Sequence, residues 1–169
     1  MNEYVKLAKY SIEHFVKTGD IADLPTDTSA ELLDKKAGVF VCIKIHGQLR
    51  GCIGTISPVT ENIAHEILRN AVSAASQDPR FPPVKAHELD KLVYTVDVLA
   101  TAEKIADKSQ LDVKRYGVIV TSGYKRGLLL PNLDGVDTIE EQVEIACQKA
   151  GIRNGETLQL ERFEVVRHE

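Results

Sequence analysis

Tryptophan is absent from this chain, and only five tyrosines and four phenylalanines supply aromatic rings, which leaves little on which nucleic-acid bases could stack. An excess of one charge is missing too. The 21 basic and 25 acidic residues give a formal charge of −4, which argues against a protein whose main task is to neutralise a phosphate backbone, although a local basic patch stays open. No hydrophobic run reaches membrane-spanning length, so no membrane association is expected. Glu3, Lys6, Lys9 and Glu13 interrupt Met1 to Lys17, so the uninterrupted apolar segment of a signal peptide is not expected there. Cys42, Cys52 and Cys147 are an odd set without CxxC spacing, suggesting neither a disulfide framework nor a zinc site; a reducing cytoplasm is the expected compartment. His46, His65 and His87 fall in different segments, so neither a metal nor a cofactor is expected.

What the chain does contain is an ordinary globular balance over 169 residues, with 43% apolar and 27% charged, enough for one buried domain spanning 1–169. Tyr4, Leu7, Ala8, Ile12, Phe15 and Val16 recur at helical spacing before Gly19, predicting an amphipathic helix over 3–17. Ser29 reads as the cap of a short helix over 30–36. Val39 to Ile45 reads as a central strand, followed by a second strand over 48–53. Ser57-Pro58 looks like the start of a long helix that ends near Gln77. With three prolines, Asp78 to Val84 is expected to run extended. A helical turn over 86–92 and a half-buried strand over 92–99 come next. Tyr116 to Thr121 and Gly127 to Leu130 form a hairpin with a basic tip at Lys125 and Arg126, Thr138-x-x-Glu141 boxes the start of a helix through Ala150, and a last strand lies in 157–167. The apolar alternation in that strand changes phase between Leu160 and Phe163, as at a bulge. Hairpins mixed with helices give an α+β fold, a mixed or antiparallel sheet with helices packed on it.

The densest chemistry lies in Leu49-Arg50-Gly51-Cys52-Ile53-Gly54-Thr55. Arg50 offers a planar fork for carboxylate or phosphate, Gly51 and Gly54 allow close backbone approach, and a cation beside Cys52 would stabilise its thiolate. The same residues also read as a strand whose glycines mark close packing and whose cysteine is a small apolar residue. Matching apolar faces puts Ile45 opposite Leu49 across a three-residue loop, His46-Gly47-Gln48, with Cys42 facing Cys52 and Lys44 facing Arg50. Facing β-carbons about 4.5 to 5.5 Å apart exceed the reach of a relaxed disulfide, so the two thiols are expected to stay reduced, oxidation acting as a brake. No histidine lies close enough in sequence to serve Cys52 as a base. Asp78 and Arg80 read either as a polar pair facing a ligand, with Phe81 as an apolar wall, or as an ion pair that pins a loop. Lys125 and Arg126 read as a phosphate or RNA contact, or as a solvated turn.

The 49–55 stretch resembles the signature of the AMMECR domain family. Asp78-Pro-Arg-Phe-Pro-Pro-Val84, Tyr116 to Gly123, Arg126 to Pro131 and Thr138 to Gln142 resemble other parts of it. The resemblance covers nearly the whole chain and implies a larger and a smaller subdomain with the signature near a cleft. It implies partners as well: similar chains form the AmmeMemoRadiSam set with a Memo-like protein and a radical S-adenosylmethionine enzyme. It implies no settled activity. Taken together, the expectation is a cytosolic cleft protein in which Arg50 and Cys52 are candidate catalytic residues and Gly51, Gly54, Asp78, Arg80 and Phe81 line a small anionic or nucleotide-like ligand. A thiol-dependent enzyme or an accessory factor in a modification pathway fits that description. The alternatives are a non-enzymatic adaptor and an RNA-binding module.

Overall fold

In the computed structural model, which describes residues 1–169, the first amphipathic segment is helix α1, Glu3–Thr18. Asn2 caps it by accepting the N–H of Val5, and Gly19 ends it in the left-handed region at φ 81°, which a residue without Cβ enters cheaply. Helix α2, Ala30–Asp34, is shorter than expected, and the Ser29 side chain does not cap it. Instead the Ser29 N–H donates to the Glu3 carboxylate at 2.7 Å.

Strands β1 (Val39–Ile45) and β2 (Gln48–Gly54) form a hairpin. The turn has two residues rather than three. His46 and Gly47, at φ 51° and 75°, have the positive angles of the tight turn whose twist matches paired strands. Gln48 then faces Ile45 and Leu49 faces Lys44, so the expected Lys44–Arg50 pairing does not occur. By itself, a two-residue turn would send Cys42 and Cys52 to opposite faces. A bulge restores the register: Arg50 has no partner on β1, Gly51 pairs with Ile43, and Cys52 pairs with Cys42.

Helix α3, Ile63–Ser76, starts later than Ser57-Pro58 suggested, because Asn62 supplies the cap. The carboxylate of Glu66, fully buried on α3, takes the N–H groups of Val59 and Thr60 at 2.6 Å each and the Thr55 hydroxyl at 2.7 Å, and so holds the preceding residues as a loop. Burial alone would raise the Glu66 carboxyl, but these donors reverse that and keep it below its ordinary value. The proline segment begins in a turn closed by the Phe81 N–H on the Asp78 carbonyl, leads into a 3-10 turn, Ala86–Lys91, and then into β3, Leu92–Leu99.

Beyond β3 come β4 (Glu103–Ile105), β5 (Gly117–Ser122), β6 (Lys125–Leu129), helix α4 (Ile139–Ala150), β7 (Gln159–Phe163) and β8 (Val165–His168). Thr138 caps α4 as expected by accepting the Glu141 N–H, but the box is not closed: the Glu141 carboxylate accepts from the Thr138 hydroxyl rather than from its backbone N–H. The strands make two antiparallel sheets with packed helices, ordered β2-β1-β3-β8 and β4-β7-β5-β6. β7 pairs with β5 in unbroken register from Gln159 to Phe163, so the phase change between Leu160 and Phe163 is not a bulge: the two residues stand on opposite faces of β7, and the chain passes to the other sheet only after Phe163. The chain divides into two compact units, residues 1–99 with 166–169, and residues 100–165. Within the second, the Ala100 N–H donates to the Glu164 carbonyl at 2.9 Å, so its two ends meet. No helix is long and apolar enough to cross a membrane.

Val39, Val41 and Ile43 of β1 and Tyr94 and Val96 of β3 pack into one core with Val5, Ala8 and Ile12 of α1 and Ile67, Ala71 and Ala74 of α3. The core of the second unit holds Val118 and Val120 of β5 with Val143 and Ala146 of α4. Gly51 lets β2 lie directly on α3, since a Cβ there would be driven into the Ala74 carbonyl oxygen. Gly51→Ala is therefore expected to destabilise the protein by about 2 kcal/mol, read as a lowered urea midpoint with an unchanged slope.

Candidate functional site

Arg50, Gly51, Cys52, Gly54, Asp78, Arg80 and Phe81 all belong to the first unit, and hydrogen bonds join four of them. As the extra residue of the bulge, Arg50 reaches the segment Pro82 to Glu88 instead of a cross-strand neighbour. Its Nε and Nη2 donate to the two Glu88 carboxylate oxygens at 2.8 and 3.0 Å, and Nη1 and Nη2 donate to the carbonyls of Pro82 and Pro83. Only 11% of the Arg50 side chain and 16% of the Glu88 side chain are exposed. The Arg50 guanidinium in turn holds the Glu88 carboxyl below its usual range. Arg50 is thus occupied in fixing the proline segment, and its fork does not face a ligand.

Cys52 sits at a position where its main-chain groups turn away from β1. Its N–H donates to Asp78 Oδ2 at 3.0 Å, and its carbonyl accepts from Arg80 Nη2 at 3.5 Å. Asp78 also accepts two bonds from the Arg80 guanidinium, at 3.0 and 2.8 Å, and one from the Arg80 N–H. The Arg80 guanidinium, aided by the N–H groups of Cys52 and Arg80 and against the opposing effect of burial, holds the Asp78 carboxyl at about 2. The side chain of Asp78 is 2% exposed and that of Arg80 52%. The carboxylate is therefore interior and ionised, while its partner cation lies at the surface over the Phe81 ring, 5.5 Å from its centroid. The ion pair pins the loop and leaves Arg80 accessible.

The sulfurs of Cys42 and Cys52 are bonded, with α-carbons 4.1 Å apart. This corrects the expectation of two reduced thiols. Residues opposite each other without mutual backbone hydrogen bonds approach more closely than hydrogen-bonded ones, and the Cys52 N–H is spent on Asp78. Gly54 lets the end of β2 pass against Phe40, whose ring a Cβ would strike.

The other candidates do not converge here. His46 forms the hairpin turn, the His65 ring is engaged by Asn62 and Glu61, and His87 lies in the 3-10 turn; no three histidine, cysteine or acidic residues stand together as a metal site. At the hairpin tip Lys125 pairs with Glu156 and Arg126 with Glu161, so both cations carry a counter-charge already. Tyr124 stands 94% exposed between strands β5 and β6. The remaining thiol, Cys147 on α4, lines a groove of about 650 Å³ in the second unit, and burial raises it. Sequence reading missed Glu88 and Glu66. Neither lies in a motif: Glu88 is recognised by Arg50, which folding brings to it from β2, and Glu66 by the Thr55, Val59 and Thr60 donors that turn back to it from the preceding loop.

The family model described as AMMECR1 matches residues 5–168. A protein of Clostridium acetobutylicum is 53% identical over 98% of this chain, which spans only 35% of that relative's length. A protein of Thermotoga maritima is 49% identical over 98% of this chain and 96% of its own. Among solved structures, an uncharacterized protein from Pyrococcus horikoshii superposes with a TM-score of 0.88 at 35% identity, covering 97% of this chain and 88% of the other.

Because folding lowers the Asp78 carboxyl from 3.8 to about 2, its contribution is complete above its unfolded value and is lost as the pH falls through that window. Urea unfolding at pH 5 and pH 2 is expected to show about 2 kcal/mol more acid destabilisation in the natural chain than in Asp78→Asn.

Proposed function

This chain belongs to the AMMECR1 family, and we propose that it binds a small anionic ligand, phosphate- or nucleotide-like, at the surface formed by Arg80 beside the Cys42–Cys52 pair. One observation carries this reading. Arg80 is fixed in direction by a buried carboxylate, yet half of its side chain is exposed and its Nη1 has no partner within the protein, whereas Arg50 has spent nearly all its donors internally. A cation oriented in advance loses little freedom when it meets a ligand oxygen. Phe81 adds an apolar surface next to it. Thiol-dependent chemistry at Cys52 would require the pair to be reduced, since the bonded sulfur has no thiolate to offer.

A second reading, that of an accessory domain working beside a partner, is favoured by the clostridial relative, in which this chain's match occupies 35% of the length. The rest of such a protein has room for a tethered partner. The resemblance to the AmmeMemoRadiSam set names a Memo-like protein and a radical S-adenosylmethionine enzyme as the partners to try. Paired cations at the hairpin tip leave the RNA-binding reading without a free basic patch there.

Calorimetric titration with AMP and with inorganic phosphate separates these readings. Saturable binding that weakens tenfold or more in Arg80→Ala is expected for the ligand site. Arg50→Ala should instead lower stability by about 3 kcal/mol, because it leaves Glu88 buried without its partner. Flat titrations, or an Arg80→Ala variant that binds like the natural chain, would remove the ligand reading; copurification with a Memo-like or radical enzyme would then support the accessory one.

A further inference from the structure

Cys42 and Cys52 come together because Arg50 takes up one extra residue in β2. Both cysteines are half-buried and lie on the sheet face opposite the one that carries Val41 and Ile43 into the core. The bond is therefore not sealed beneath the helices. Nor does β2 depend on it for its place. Asp78 and Arg80 hold the N–H and carbonyl of Cys52, Arg50 ties the neighbouring position to Glu88, Pro82 and Pro83, and Gly51 fits against Ala74.

We propose that the Cys42–Cys52 pair is a reversible thiol–disulfide switch whose two states share one fold, and that its oxidised state masks the Cys52 thiol beside Arg80. The masking of a ligand site rests on the function proposed above; the switch itself does not. Its reductant is a dithiol. One reductant thiolate attacks a sulfur of the pair, the Cys42–Cys52 bond breaks, and the expelled cysteine leaves as a thiolate that takes up a proton. The second reductant thiol then attacks the mixed disulfide and frees the other cysteine. Two electrons and two protons pass to the chain, and the reductant departs as its own disulfide. Cys147, in the other unit with its thiol raised by burial, takes no part and serves as an internal reference.

The test equilibrates the full chain and its Cys147→Ser and Cys42→Ser variants with mixtures of reduced and oxidised dithiothreitol, blocks free thiols with iodoacetamide, and reads the modified cysteines by mass spectrometry. Cys42 and Cys52 should become reactive together along a single two-electron transition, with or without Cys147. Circular dichroism and cooperative melting should persist on both sides of the transition. In Cys42→Ser, Cys52 should be blocked at every ratio. Two free thiols throughout the series, or a bond that yields only after urea unfolds the chain, would overturn the switch. No anion enters this titration, so flat titrations with AMP and phosphate would remove the ligand site and leave the switch standing, whereas thiols that never pair would do the reverse.

Discussion

An edge strand leaves alternate N–H and C=O groups pointing outward with no neighbouring strand to receive them, and in β2 the way those groups are satisfied governs the architecture around Cys52. The receiver is not a strand. It is the ionised Asp78 carboxylate on one side and the Arg80 guanidinium on the other, presented by a segment whose prolines could not have joined a ladder as donors. One buried carboxylate thereby connects the sheet edge, the proline loop and a surface cation. The bulge at Arg50 extends the same arrangement, sending a second guanidinium out of the sheet to hold the far end of that loop. The main-chain groups of Cys52 thus tie residues 78–80 to the sheet edge, while the bulge at Arg50 brings the two cysteines opposite each other.

Charge balance shapes what such a site can do. Asp78 cancels much of the Arg80 charge close by, so attraction at long range is weak and recognition would depend on directed hydrogen bonds at short range. That differs from the open basic patch that a nucleic-acid surface requires, and it agrees with the overall acidic balance of the chain. The energetic roles of the two arginines separate for the same reason: one is enclosed by acceptors from its own chain, and the other is enclosed on one side only.

Elements whose cause is local were legible in the sequence. β1 and β3 run over the residues their β-branched composition indicated, and the caps at Gly19 and Thr138 lie where residue type alone placed them. The start of α3 was not legible, because Ser57-Pro58 is a sound local signal overruled by Glu66, whose acceptors meet N–H groups six and seven residues back. The hairpin was legible in part for a more instructive reason. Turn length and bulge shift the register in opposite senses, so the facing cysteines were placed correctly while the loop and the Lys44–Arg50 pairing were not. The residues that the resemblance singled out lie in one unit, but which arginine faces inward depends on Glu88, a residue in no motif.

The ends of the second unit meet at the Ala100–Glu164 hydrogen bond, and this bears on the order in which the chain can fold. β3 and β8 belong to one sheet, yet all of residues 100–164 lies between them, and pairing strands across so long an unstructured loop is slow and entropically costly. If the intervening unit first folds around its own core, its joined ends deliver Val165–His168 close to where β3 stops, and the long closure becomes a short one. The first unit then reaches its final form last, although it contributes the first residues to be made: His168 must arrive to stack on Tyr4 and to meet Asn2, the cap of α1. An inserted unit of this kind acts on its host as a folded splint, turning a distant contact into a near one.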